Sequence, residues 1–219
     1  MILNGPKVEP PGHVSSAVIL LHGYGANGDD LIDLAGFWRS RFPETAFLSP
    51  NAPEELPFPG FGGLQWFELS TRSADEFWKG VNQAAPILNS YIDEVLANYE
   101  LAAGQLALVG FSQGTMMALH TGLRRSDSLA AIVGLSGRLA GPEHLSTEIQ
   151  SRPPVQLIHG ADDDIIDVEA IDVAREALSA VGIRVEWHIR PGLGHGIDEQ
   201  GLQLAGDFLA EHLTLSIDE

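Results

Sequence analysis

Leu106-Ala107-Leu108-Val109-Gly110-Phe111-Ser112-Gln113-Gly114 is the stretch on which the reading of this chain turns. Leu106 to Val109 form a short apolar run, and Thr115 to Leu123 follow with a helix-like pattern, so Ser112 falls on a strand-to-helix turn. At so sharp a turn, bulky residues two places either side of the serine collide, which accounts for Gly110 and Gly114. The turn pushes the hydroxyl into the open. It also leaves the Gln113 N–H at a helix N-terminus, where unpaired amides and the helix dipole favour developing negative charge. Gly-x-Ser-x-Gly arises by chance in many chains, so the flanking strand and helix carry the inference. Ser136 is the internal comparison: it follows the apolar run Leu129 to Val133, but in Gly134-Leu135-Ser136-Gly137-Arg138 the second glycine comes one place early and no helical pattern follows. It reads as an ordinary strand-end residue.

Outward from this stretch, apolar runs alternate with helical patterns. The runs are Ala17 to Leu21, Ala46 to Leu48, Leu106 to Val109, Ala130 to Leu135, Val155 to Ile158 and Arg184 to Ile189. Helices are predicted over Asp29 to Arg41, Ala74 to Asn98, Gly114 to Arg125, Val168 to Ala180 and Asp198 to His212. Runs that are apolar throughout suit strands covered on both faces, and their alternation with helices predicts an α/β fold with a mainly parallel, doubly wound sheet. In such sheets ligands bind beyond the carboxyl ends of the strands.

The 219 residues fit a single domain, 1–219, with a large core and little room for a separate cap. A formal charge of −18, from 30 acidic against 12 basic residues, disfavours nucleic acid and anionic membranes as partners. The absence of cysteine excludes disulfides, thiolate catalysis and zinc-thiolate sites. Met1 to Pro11 lacks a basic start and an apolar core, and no segment approaches the roughly 18 apolar residues of a membrane span, so a cytoplasmic protein is expected. An isologous homodimer is the default for an enzyme of this size, with no interface marked in the sequence.

A serine nucleophile needs a positioned base, and the base needs a carboxylate, in the chain order Ser, acid, His. His195 fits the base: it lies in Pro191-Gly192-Leu193-Gly194-His195-Gly196, after the last strand and before the last helix. His22 and His159 each end a strand before a glycine and read as turn residues near the site edge. The acid comes from His159-Gly160-Ala161-Asp162-Asp163-Asp164-Ile165-Ile166-Asp167, where four aspartates compete. Their spacing matches no calcium loop, and no metal or cofactor is expected. The second oxyanion donor should follow the first strand, in Leu21-His22-Gly23-Tyr24-Gly25-Ala26-Asn27-Gly28, which makes the Tyr24 N–H the candidate beside that of Gln113. Gly23-x-Gly25-x-x-Gly28 also matches a dinucleotide fingerprint, but Ser49-Pro50-Asn51 stands where the ribose-binding acid belongs.

The segment 51–73 is long, rich in proline and glycine, and carries Phe58, Phe61, Leu64, Trp66 and Phe67. It is either a wall over an apolar pocket or a packed excursion over the sheet edge. Because it leaves a strand's carboxyl end, a pocket wall is expected, with Phe61, Leu64, Trp66 and Trp78 lining a shallow site for small or medium acyl chains.

Five motifs in order resemble the phospholipase/carboxylesterase group of α/β hydrolases, which includes acyl-protein thioesterases and short-chain carboxylesterases. They are Leu-His-Gly-Tyr-Gly at Leu21 to Gly25, Ser-Pro-Asn-Ala-Pro at Ser49 to Pro53, Trp66-Phe67, Gly-Phe-Ser-Gln-Gly at Gly110 to Gly114, and Gly-Leu-Gly-His at Gly192 to His195. The likeness runs from about Ala17 to His212. It implies the α/β-hydrolase fold without a large cap, and a triad whose acid, third after the glycine of a His-Gly pair, maps onto Asp163. Relatives continue toward Val-Pro where this chain has Ile166-Asp167, which leaves Asp162 and Asp164 as alternatives. The implied activity is hydrolysis of small carboxylic esters through an acyl-enzyme; lysophospholipids and acyl-protein thioesters are the family's other substrates. A ligand receptor on the same fold, or a nucleotide-binding protein, is the alternative from another class.

Overall fold

The computed structural model describes residues 3–57 and 63–213. In chain order the strands are β1 (Lys7–Val8), β2 (Ser16–Leu21), β3 (Thr45–Leu48), β4 (Glu54–Glu55), β5 (Leu64–Gln65), β6 (Leu106–Phe111), β7 (Ala131–Leu135), β8 (Val155–Gly160) and β9 (Val185–Arg190). The helices are α1 (Gly28–Ile32), α2 (Ala35–Trp38), α3 (Ala74–Asn98), α4 (Gln113–Leu123), α5 (Leu145–Glu148), α6 (Ala170–Ala180) and α7 (Glu199–Leu213). Seven strands form one sheet in the order β1-β3-β2-β6-β7-β8-β9. Every neighbouring pair is parallel except β1 with β3. The sheet is mainly parallel, as the alternation of runs and helices predicted, and is that of the α/β-hydrolase fold the family resemblance implied.

The unbroken apolar runs follow from burial on both faces. In β2, Ala17, Ile19 and Leu21 point into a core shared with α3, α4 and α6, while Val18 and Leu20 point into one shared with α1, α2 and α7. Strand β6 divides in the same way, Leu106 and Leu108 against Ala107 and Val109. Successive side chains of a strand alternate faces, so a strand covered on both sides has no polar position to spare. Helix α4 is buried along its whole length, sandwiched between the sheet and α3.

Two expectations are corrected. The helix predicted over Asp29 to Arg41 is the pair α1 and α2, because the backbone tightens to three-residue bonds between them: Leu34 N–H to Leu31 O at 3.0 Å and Gly36 N–H to Asp33 O at 2.9 Å. Leu31, Ala35 and Trp38 still face the sheet, so the apolar spacing survives the break. The segment 51–73 carries a small antiparallel ribbon, β4 with β5, stapled to the turn after β2 by Gly25 N–H to Leu64 O at 2.8 Å and Leu64 N–H to Ala26 O at 2.9 Å.

Candidate active site

The site stands on the carboxyl ends of β2, β6, β7, β8 and β9. Strand β6 is followed at once by Ser112, whose φ of +54° and ψ of −114° lie where a side chain is strained. The neighbours make the turn obligatory: a Cβ on Gly110 would lie 2.3 Å from Gly114 O, and one on Gly114 would lie 1.9 Å from Leu21 O. Thr115 pins the turn from beneath, its hydroxyl donating to Gly110 O at 2.7 Å and accepting from Leu135 N–H at 3.1 Å. A serine preceding a helix commonly caps it with its own oxygen, but Ser112 makes no such bond. Its Oγ instead meets His195 Nε2 at 3.0 Å.

His195 Nδ1 lies 2.8 Å from Asp163 Oδ2. A carboxylate only accepts, so Nδ1 carries the proton and Nε2 presents its lone pair to the serine hydroxyl. Of the four aspartates after β8, Asp163 is the one that reaches His195, and it is buried while Asp162, Asp164 and Asp167 are exposed. Its Oδ1 accepts the N–H groups of Ile165 and Ile166, each at 2.9 Å. Burial pushes the Asp163 carboxyl up, but the Ile166 amide, His195 and the Ile165 amide together hold it below the ordinary value.

The turns after β7, β8 and β9 are tied to one another. Ser136 N–H donates to Ile158 O at 2.8 Å, Ser136 Oγ–H to Gly196 O at 3.0 Å, and Asp162 N–H to Leu193 O at 2.9 Å. Ser136 is thus a strand-end residue, as read, with a positive φ and a hydroxyl that anchors the loop bearing His195.

The backbone N–H groups of Tyr24 and Gln113 find no acceptor among the described residues. Both residues line the same cavity as Ser112. Gly23 brings the Tyr24 turn against the serine: a Cβ there would lie 3.2 Å from Ser112 Cβ. That turn is braced by His22, read from sequence only as a turn residue. Buried and held below its ordinary pKa chiefly by that burial, His22 donates from Nδ1 to Gly23 O at 2.8 Å and accepts Ala52 N–H on Nε2 at 3.0 Å. The Gln113 carboxamide clamps the far side, accepting Trp66 N–H at 2.9 Å and donating to Phe67 O at 2.8 Å.

The cavity over Ser112 holds about 380 Å³. Its apolar lining is Leu69, Phe77, Met116, Ile165 and Ile166, and its charged lining is Arg72, Arg138 and Asp167. Of the wall residues expected from sequence, Leu64, Trp66 and Trp78 lie elsewhere. Trp66 is 1% exposed in the core, with its indole N–H donating to His22 O at 3.0 Å. Leu64 belongs to β5, and Trp78 stacks on His144 with ring centroids 4.0 Å apart. Phe61 lies outside the described residues. The segment 51–73 does contribute to the lining, through Leu69 and Arg72. The signal that would have found Phe77 is its place in the first turn of α3, immediately beyond that segment. No group of three or more His, Asp or Glu side chains among the described residues is arranged to hold a metal ion.

A family model for phospholipases and carboxylesterases matches residues 4–213. The chain belongs to the phospholipase/carboxylesterase family. This carboxylesterase-family hydrolase is 42% identical to esterase PE8, whose crystal structure superposes with a TM-score of 0.93 over 97% of this chain and 100% of that one. It is 30% identical to the esterase YpfH of Escherichia coli (strain K12), over 91% of this chain and 84% of that protein. It is also 28% identical to acyl-protein thioesterase 1 of Gibberella zeae, over 95% of each. No described helix of the hydrolase is long and apolar enough to cross a membrane.

Proposed function

We propose that the protein is a serine carboxylesterase that hydrolyses esters of short to medium acyl chains through an acyl-enzyme. The observation that carries this reading is the unbroken hydrogen-bonded run from Asp163 through His195 to Ser112, at 2.8 and 3.0 Å, opening on an apolar-walled cavity. His195 Nε2 takes the Ser112 proton as Oγ attacks the ester carbonyl. The carbonyl oxygen gains charge and is received by the free N–H groups of Tyr24 and Gln113. As the tetrahedral intermediate collapses, the imidazolium returns its proton to the departing alcohol. Water repeats the sequence on the acyl-serine and releases the acid. Asp163 holds the ring in the Nδ1–H tautomer and stabilises the imidazolium in both steps.

Leu69, Phe77, Met116 and Ile165 are the acyl-chain contacts in this reading, in place of Leu64, Trp66 and Trp78. A cavity of about 380 Å³ fits a small or medium ester. The same machinery cleaves a thioester, and the relative named acyl-protein thioesterase 1 favours that second reading.

The test is hydrolysis of p-nitrophenyl esters from acetate to decanoate by the wild type and by Ser112→Ala. A rate that peaks at one chain length and vanishes in the variant is expected. Equal hydrolysis by the variant would sink the scheme. Thioester turnover exceeding ester turnover would favour the second reading.

A further inference from the structure

Basic side chains are scarce in this protein, 12 Lys and Arg against 30 Asp and Glu. Eight of the twelve form ion pairs among the described residues. Only Arg39, Arg72, Arg138 and Arg152 lack a carboxylate within 4.0 Å among the described residues. Arg152 is satisfied by a backbone carbonyl, donating to Val181 O at 2.8 Å. Two of the remaining three, Arg72 and Arg138, line the cavity that contains Ser112. In a chain with so large an acidic excess, unpaired guanidinium groups would find surface carboxylates readily. Their convergence on the reacting serine is a charge arrangement that surface solvation does not account for.

Arg138 is the better placed of the two. It follows β7 at the sheet's carboxyl edge, on a turn fixed by the Ser136 bonds to Ile158 and Gly196. It is half-buried, its guanidinium carbon lies over the Phe77 ring 4.9 Å from the centroid, and its N–H groups make no hydrogen bond among the described residues. Arg138 and Phe77 also border a second cavity of about 210 Å³, so the guanidinium stands on the divide between that space and the one over Ser112. Arg72 reaches the first cavity from a positive-φ turn at +54°, held by the Glu76 carboxylate, which accepts the N–H groups of Ser70, Thr71 and Arg72. Asp167 is the opposing charge on this lining.

Resting on the serine-esterase reading, we propose that the site selects esters that carry a carboxylate, with Arg138 as the residue that receives it and Arg72 adding to the local positive potential. A planar guanidinium presents paired N–H donors that match the two oxygens of a carboxylate. The apolar lining between Arg138 and Ser112 accommodates the short chain joining the carboxylate to the ester. The substrate class is therefore half-esters of dicarboxylic acids, or acyl esters of hydroxy acids, according to which side of the ester bears the charge. Asp167 competes with the substrate for Arg138 and sets the strength of the preference.

The experiment compares charged and neutral esters of equal size by titrating released acid at constant pH. Monoethyl adipate against ethyl hexanoate reports a carboxylate on the acyl side, and 3-acetoxypropanoate against propyl acetate reports one on the alcohol side. The wild type should favour the charged member of at least one pair. Arg138→Gln should lower that kcat/KM ratio about tenfold, the scale of one lost charge-assisted hydrogen bond. Arg138→Lys should retain part of the ratio, Asp167→Asn should raise it, and added salt should lower it in the wild type. Because each ratio contains its own neutral reference, a poorly folded variant loses both rates and leaves the ratio readable in the remaining active fraction. Wild-type ratios below one in both pairs, or ratios unmoved by Arg138→Gln and Asp167→Asn, overturn the proposal while leaving the esterase reading standing. Failure of the wild type to hydrolyse any of the four esters overturns the esterase reading and the proposal with it.

Discussion

His159 Nε2 lies 3.1 Å from Asp163 Oδ2, the same oxygen that accepts the His195 Nδ1–H, yet it also stands 2.9 Å from the Ile166 carbonyl and donates there. The imidazole thus closes the turn from 159 to 166 from inside, and both side chains are buried. The carboxylate that faces His195 is set by a second histidine that is not itself part of the cavity lining.

Replacing this brace should therefore disturb catalysis through Asp163. His159→Phe leaves the buried Ile166 carbonyl without its donor, at a cost of about 2 kcal/mol in stability. It should lower kcat about tenfold while KM stays within twofold, and His159→Gln, which can still donate, should recover part of the loss. Denaturant unfolding and Michaelis kinetics on a p-nitrophenyl ester check the two effects separately.

Gln113 joins its helix to the segment 66–67 through both ends of its carboxamide. Gln113→Leu keeps the volume but strands the Trp66 N–H and the Phe67 carbonyl, each a loss of about 1–3 kcal/mol when buried. The backbone N–H at this position is untouched. A fall in the unfolding midpoint accompanied by a raised KM is the expected pattern, measured by urea titration and ester kinetics.

Gly114→Ala tests the turn itself. Its methyl group would sit 1.9 Å from Leu21 O and 2.8 Å from His22 O, on backbone that cannot rotate aside. Forced overpacking of this kind costs about 3 kcal/mol or more. The variant should unfold at markedly lower urea concentration, with an unchanged dependence on denaturant if the fold itself is retained.

Acid sensitivity should trace in part to His120. Burial, with Arg124 adding to it, lowers this histidine from 6.5 to about 3, and its Nδ1 has no partner among the described residues. The folded protein keeps the ring neutral while the unfolded chain binds a proton below pH 6.5. Stability is then at its fullest above pH 6.5 and falls as pH drops toward 3, by an amount on the order of 4 kcal/mol from this side chain. His120→Met should flatten that portion of the pH–stability curve, measured by denaturant unfolding at stepped pH.

The parts of the fold legible in the sequence are those with repeated signals. Ala17 to Leu21 and Leu106 to Val109 announce buried strands because both faces demand apolar side chains, and Gly110 and Gly114 announce the turn because nothing larger fits. The lone β1 pair, Lys7–Val8, carries no pattern, since two residues cannot show a period. His195 was marked by its place after the last strand. Asp163 came from the family resemblance, because four neighbouring aspartates are compositionally equal until burial and the Ile165 and Ile166 amides distinguish them. Trp66 misled because its polar edge points inward: an indole whose N–H is taken by His22 O packs as core, and sequence alone does not reveal that bond. Arg138 and Phe77 escaped for a related reason, being ordinary residues of a turn and a helix until the cavity makes them neighbours.

The bonds linking the turns after β7, β8 and β9 bear on how this molecule fails under heat. Ser136 holds Gly196, Asp162 holds Leu193, and the turns grow directly from three successive strands of one sheet, β7, β8 and the edge strand β9. The turns that carry Asp163 and His195 cannot part without breaking these bonds. Turnover and secondary structure should consequently disappear together in a single cooperative melt, which makes the catalytic rate a faithful gauge of the folded population.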